Sequence, residues 1–238
     1  MNLYRDHGIV LRTYKLGEAD RIVVLMTRGV GKLRAVAKGV RKTRSRFGAR
    51  LEPTSHAALQ LYRRRELDLI TQAETVDQFP VFRSDLSRLG RASSMLEAVD
   101  HLALEREPNP RLYQMLLGAL RTLAAQDSPL VAPAFFLKAL AAEGFEPSLG
   151  LCVQCGAAEE LVSFDVREGG VRCWGCRRGA AVSAEALALM DDVLHGRLQA
   201  ALDRPAAAAV REVEHLATAL LEHHVERRLR SLAVSDRT

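Results

Sequence analysis

The chain has 238 residues, 48% of them hydrophobic and 26% charged, with a formal net charge of +5 at neutral pH. That is enough chain to bury a sizeable core in one large domain or two small ones. The longest apolar stretch, residues 129–142, is interrupted by Lys138 and is too short to span a bilayer, and MNLYRDHGIV lacks the basic and apolar regions of a secretory signal. A cytoplasmic protein without membrane attachment is expected.

The charge is unevenly distributed. Residues 1–80 hold 16 Lys+Arg and 8 Asp+Glu, a local balance of +8, which leaves −3 for the remainder. A basic module is therefore joined to a mildly acidic one, the boundary expected at 80/81, where the hydrophobic period changes from 2 to 3.6 near Phe79 and Pro80.

Residues 1–80 read as β. Residues 8–14 alternate, with Ile9, Leu11 and Thr13 opposing Val10, Arg12 and Tyr14. After the turn signal Gly17-Glu18-Ala19-Asp20 comes the apolar run of residues 22–26, which predicts a strand buried on both faces. A turn at residues 29–31 leads into a third strand, and residues 54–62 and 66–73 make two more. Five short strands in about eighty residues is the size of a small closed barrel of the OB type.

The third strand carries the densest charge. Over residues 31–53 the only acid is Glu52. Period-2 alternation places Lys32, Arg34 and Lys38 on one face, with Leu33, Ala35 and Ala37 on the other. Beyond Gly39 the alternation stops, but Arg41, Lys42, Arg44, Arg46 and Arg50 continue the charge among Ser, Thr and Gly, as in a mobile basic loop. A solvated face usually interleaves acids with bases, and this stretch does not. It reads as a track for a polyanion, with Arg63, Arg64 and Arg65 at the next hairpin as further contacts. Six phosphate contacts on a single strand would give a salt slope of about −4. With Tyr4, Tyr14, Phe47 and Tyr62 the main aromatics, base stacking by this module should be slight and recognition should rest on the backbone.

From residue 81 onward the pattern is helical. Helices are expected over residues 84–106 (apolar at Leu86, Leu89, Met95, Leu96, Val99 and Leu102), over 111–126 and 130–143, from an N-cap at Ser183 to His195, and from Pro205 to about Leu232. Residues 148–180 interrupt them. There Cys152-x-x-Cys155 and Cys173-x-x-Cys176 lie seventeen residues apart and account for every cysteine in the chain, the spacing of a four-thiolate zinc site. Four sulfurs leave no open coordination position, so one structural Zn2+ is expected, stapling a loop-rich insert. Trp174, Arg177 and Arg178 inside this insert could also touch a partner or a nucleic acid, although scaffolding is the commoner use of such modules.

No nucleotide-binding, dinucleotide-binding or serine-hydrolase motif is present, and His223-His224 with Glu222 and Glu226 lacks the order of a metalloprotease helix. The adjacent acids Asp191-Asp192 and Glu159-Glu160 make poor acid/base pairs. The reading from the residues is thus a basic face that grips nucleic-acid backbones, single-stranded or duplex. A zinc-containing RNA-binding OB protein shares every electrostatic feature, and a zinc-dependent nucleic-acid enzyme would need an open metal site.

The strand Gly8-Ile9-Val10-Leu11, the turn Gly17-Glu18-Ala19-Asp20, Thr27 and Gly31 around the next turn, and Lys38-Gly39-Val40-Arg41-Lys42 followed by Ser45 resemble the opening of the bacterial RecO recombination mediators. The likeness continues, more diffusely, to the end of the chain. It implies an α+β multidomain protein: an OB-fold barrel (residues 1–80), a helical domain in two parts (81–147 and 181–238) and an inserted zinc module (148–180). It also implies a cytoplasmic, nucleoid-associated, non-enzymatic role: binding single- and double-stranded DNA, annealing complementary strands, and assisting RecA loading on DNA coated by single-strand-binding protein, with RecR as partner. Members of the family take the acidic C-terminal tail of single-strand-binding protein through the helical domain. Some lack the cysteines, which suits a structural metal.

Overall fold

The computed structural model describes residues 2–42, 45, 47–205 and 208–231. Five strands, β1 (Leu3–Leu16), β2 (Asp20–Thr27), β3 (Gly31–Ala37), β4 (His56–Tyr62) and β5 (Asp68–Asp77), form a closed barrel in the order β1-β2-β3-β5-β4. β1 is long enough to serve two partners. Its first half pairs with β4 (Leu3 opposite Tyr62) and its second with β2 (Leu16 opposite Asp20). Closure comes from a short parallel contact in which Ala35 and Val36 of β3 face Asp68 and Leu69 of β5.

The period-2 reading of β3 holds: Leu33, Ala35 and Ala37 are buried in the barrel core beside Val23 and Leu25 of β2. Between β3 and β4, where an OB-fold usually has a helix, the described residues hold a 3-10 turn, Gly48–Leu51. Phe47 and Leu51 drop from this turn into the barrel core, each about 1% exposed. Two apolar side chains thus fill the interior space that a helix face would otherwise fill.

The alternation expected in β1 is interrupted. Ile9, Val10 and Leu11 are all buried, because a bulge shifts the register between Val10 and Arg12 and because the outer face of the barrel is also covered. The cover is helical. After one turn, α1 (Val81–Ser84), come α2 (Leu86–Leu102), which packs on β1, and α3 (Pro110–Ala125), which packs on β2. α2 is capped by Asp85, whose carboxylate accepts from the Arg88 N–H (2.9 Å). Val24 and Met26, on the outer face of β2, are at most 2% exposed. This burial on both sides was legible as an unbroken apolar run.

Two compact units follow, one comprising Met1–Ala125 with Ser231–Thr238 and the other Gln126–Arg230. The change of hydrophobic period near residue 80 marks a change of secondary structure, but the division between units falls after Ala125. The reason is that the outer apolar face of the barrel needs α2 and α3. Leu86 and Leu89 lie outside that contact, 69% and 37% exposed, although the periodicity counts them as core.

The second unit contains α4 (Val131–Ala142), a small sheet of β6 (Leu161–Asp165), β7 (Gly170–Cys173) and β8 (Ala180–Ala181) in the order β7-β6-β8, and then α5 (Ala184–Leu194), α6 (Leu198–Leu202) and α7 (Ala208–His224). α4 and α5 pack on α7. Ser183 caps α5 as expected, its hydroxyl accepting from the Ala186 N–H (3.1 Å). The last helix ends earlier than its apolar stripe suggests, because Glu226 turns left-handed (φ 52°).

In the first unit, a buried polar cluster joins barrel to helix. His56 Nδ1 lies 2.7 Å from Asp77 and Nε2 lies 2.7 Å from the Tyr113 hydroxyl, while Arg121 donates to the same Asp77 (2.8 Å). Burial pushes the Tyr113 hydroxyl up to about 12, so it is a donor. Neutral His56, with its proton on Nδ1, satisfies both partners at once. Burial lowers the His56 pKa despite Asp77, helped by the neighbouring charges of His7 and Arg121. A group deprotonated more readily in the folded state contributes stability above its unfolded pKa and loses it as pH falls. Thermal unfolding should therefore show a falling melting temperature as pH drops from about 6.5 towards the lower folded value, and His56→Gln should remove that segment of the profile. Parallel profiles for the two proteins would contradict this assignment.

Candidate nucleic-acid interface and metal centre

The barrel topology decides where the cations lie. β3 ends at Ala37, opposite Arg21 just after the turn at residues 17–20. Two residues earlier, Ala35 faces Asp68, just after the hairpin at residues 63–65. The first turn therefore borders the end of β3 from which the basic segment emerges, whereas the second lies back along β3 towards Arg34 and Lys32, because β5 runs parallel to β3. That segment is docked to the first turn. The Gly39 N–H donates to Asp20 (2.8 Å), the Arg41 N–H to the Ala19 carbonyl (3.0 Å), and the Arg41 guanidinium to the carbonyls of Gly17 (3.3 Å) and Glu18 (2.9 Å).

Lys38, Arg41 and Lys42 are exposed there. Arg63, Arg64 and Arg65 are exposed on the second turn, where the Arg63 guanidinium lies 5.3 Å from the Tyr4 ring centroid. Arg50 is exposed in the 3-10 turn. Arg44 and Arg46 lie outside the described residues. Lys15, exposed beside the first turn, belongs to this group and was missed because β1 looked shorter in the sequence. Among the described residues, Lys15, Lys38, Lys42, Arg64 and Arg65 have no carboxylate partner.

Lys32 and Arg34 have a different environment. The segment after α2 runs along β3, with the Arg106 N–H donating to the Lys32 carbonyl (2.7 Å). Gly31 makes this approach possible: its φ is +84°, and a Cβ there would sit 1.9 Å from the Glu107 carbonyl oxygen. Lys32 reaches the Asp100 carboxylate (3.6 Å), which also takes Arg12 (2.9 Å). Arg34 is held in a fork by Glu105 (3.1 and 3.2 Å). The cationic face foreseen on β3 is thus largely neutralised by acids from residues 100–105, pairs too distant in sequence to be read from the strand alone.

Asp68 anchors the second turn. Fully buried, it accepts from the Arg106 guanidinium (2.8 Å), the Arg64 N–H (3.1 Å) and the Tyr4 hydroxyl. Burial favours its neutral form, but these donors outweigh burial and hold the carboxyl below its usual range. Burial and the hydrogen bond to Asp68 in turn raise the Tyr4 pKa.

The four cysteines converge. Their sulfurs all lie within 4.8 Å of one another, with 3.6 Å between Cys155 and Cys173. A tetrahedron of sulfurs about 2.3 Å from a central ion has corners roughly 3.8 Å apart, so the set fits a metal ion after small adjustments. The first knuckle is closed by the Gly156 N–H on the Cys152 carbonyl (2.8 Å) and the Cys152 N–H on the Ala157 carbonyl (2.8 Å). It is tied to the sheet by Arg172, which donates to Gln154 (3.0 Å) and forms a buried pair with Asp165 (2.9 Å). Without an ion the four thiols perturb one another. The Cys173 backbone N–H, with those of Cys155 and Gln154, brings the Cys152 thiol down to about 6, whereas hydrogen bonds with the thiols of Cys155 and Cys173 push Cys176 up to about 12. A divalent ion would remove the competition among the four sulfurs.

Family comparisons agree with this architecture. Residues 1–79 match the family model described as Recombination protein O N terminal, and residues 83–233 match Recombination protein O C terminal. The chain belongs to the RecO family. Proteins named DNA repair protein RecO from Frankia casuarinae and Thermobifida fusca are 46% and 44% identical to it over the full length of both chains. The one from Streptomyces griseus is 45% identical over 98% of each. Membership carries a role in DNA repair and recombination. It extends through the barrel, the helices and the cysteine-bearing segment alike.

None of the described helices is long and apolar enough to cross a membrane. For the cysteine site, Cys152→Ser or Cys176→Ser should lower metal content by elemental analysis and expose residues 148–180 to limited proteolysis, with a larger loss of melting temperature than of DNA affinity. A variant that keeps its melting temperature but loses DNA binding would contradict the scaffold role.

Proposed function

We propose that this chain is a non-catalytic DNA-binding mediator of recombinational repair. It grips the backbones of single- and double-stranded DNA through the cations at one end of the barrel and brings complementary strands together. With RecR it assists RecA loading on DNA coated by single-strand-binding protein, whose acidic C-terminal tail the helical part receives. One structural Zn2+ held by Cys152, Cys155, Cys173 and Cys176 staples the insert. The site of action is the cytoplasm, at the nucleoid.

The observation that carries the reading is the grouping of Lys15, Lys38, Arg41 and Lys42, all exposed, where the basic segment docks on the turn at the end of β3, with Arg63, Arg64 and Arg65 as a second exposed cluster before β5. Arg44, Arg46 and Arg50 continue the same basic run in sequence. Lys32 and Arg34 are assigned a lesser part, because DNA would have to displace Asp100 and Glu105.

Annealing needs two phosphate backbones close together, and neutralising their charge is the chief requirement. The barrel has few rings to stack with: Phe47 is buried and Tyr4 is bound to Asp68 beneath Arg63, which leaves Tyr14 and Tyr62 as its exposed tyrosines. Sequence preference should accordingly be weak. His56 and Asp77 have the look of a base with its orienting acid, but the other ring nitrogen is taken by Tyr113 and the ring is buried, which supports a packing role.

The quadruple change Lys38→Gln, Lys42→Gln, Arg44→Gln and Arg46→Gln should weaken binding to an oligonucleotide at low salt and reduce its log–log salt slope by about 3, leaving the melting temperature unaltered. Affinity and slope equal to those of the unmodified protein would sink the assignment.

A further inference from the structure

The chain has one tryptophan, and it is not in a core. Trp174 is 57% exposed, at the start of the 3-10 turn Trp174–Cys176 that separates the two thiols of the second knuckle. A side chain of this size usually buries most of its surface. Here the surroundings fix the residue without covering it. Its backbone N–H donates to the Glu160 carbonyl (3.0 Å), and its backbone carbonyl accepts from the Arg177 guanidinium (3.0 Å). That guanidinium lies 4.2 Å from the indole ring centroid. Cys173 precedes the turn and Cys176 ends it, so the indole is mounted between two of the four clustered cysteines.

The charge around the ring is balanced. Arg177 and Arg178 are exposed next to it, and Glu159 and Glu160 are exposed on the turn that binds its backbone. Such a surface has little general attraction for phosphates, unlike the end of the barrel. It offers a large, fixed π-face with a planar cation already stacked against it, which matches the faces of an unpaired base. In a duplex those faces are hidden.

We propose that Trp174, with Arg177 clamped against it, is a stacking platform for an unpaired nucleobase, giving the protein a single-strand contact distinct from backbone gripping by the barrel. The inference rests on the DNA-binding reading above, and the test keeps the two apart.

Because there is a single tryptophan, its emission reports on this residue alone. The full chain with its metal is titrated with an end-labelled oligothymidylate, following label anisotropy and tryptophan emission together. Anisotropy should rise and emission should be quenched with the same midpoint, while a duplex should raise anisotropy without the quench. Trp174→Ala should lower single-strand affinity by roughly fivefold or more. That loss should persist at high salt, with duplex affinity, metal content and melting temperature unchanged, and Trp174→Phe should recover part of it. Rising anisotropy with unaltered emission, together with full affinity in Trp174→Ala, would overturn the platform and leave the barrel assignment standing. Equal quenching by duplex would also overturn it. No anisotropy change with either DNA would overturn both readings.

Discussion

A short parallel contact closes the barrel, and the arrangement of the basic surface depends on it. Where Ala35 and Val36 meet Asp68 and Leu69, the hairpin carrying Arg63, Arg64 and Arg65 is held alongside β3, on the side of Arg34 and Lys32. Asp68 makes that closure specific. Its carboxylate is fully buried and collects donors from β1, from the hairpin itself and from the segment after α2. A buried carboxylate without partners would be costly, so register, hairpin and helical cover are selected together.

The same physics separates two kinds of cation. Lys32 and Arg34 sit where residues 100–107 run along β3, and they are matched by Asp100 and Glu105, so they belong to the seam between barrel and helices. Lys38, Arg41 and Lys42 lie past the end of the strand, on a segment docked to backbone carbonyls and to Asp20, where the cationic heads face solvent. Hydrogen bonds at Gly39 and Arg41 thus hold the start of this segment without neutralising Lys38 or Lys42. The cysteine module rests on another principle: local thiol geometry that a metal ion can complete, with the indole of Trp174 left outside any core.

Much of this was legible in the sequence because the signals are local. Period 2 assigned the faces of β3, the unbroken run of residues 22–26 announced burial on both sides of β2, the hydroxyl of Ser183 marked a helix start, and the cysteine spacing announced a shared site. What escaped was non-local or conformational. Periodicity could not show that α2 and α3 cover the barrel, that Leu86 and Leu89 miss that contact, or that Asp100 and Glu105 neutralise β3. The bulge after Val10 and the left-handed Glu226 are single-residue departures with no periodic signature.

The central claim is that charge neutralisation at one end of a barrel brings DNA strands together without chemistry. It is tested most directly by the annealing rate of complementary strands, bare and coated with single-strand-binding protein. The account predicts acceleration in both cases without any added nucleotide, strand products unaltered in length, and an effect that declines as salt rises. Strands that anneal no faster than alone, or acceleration indifferent to salt, would contradict it.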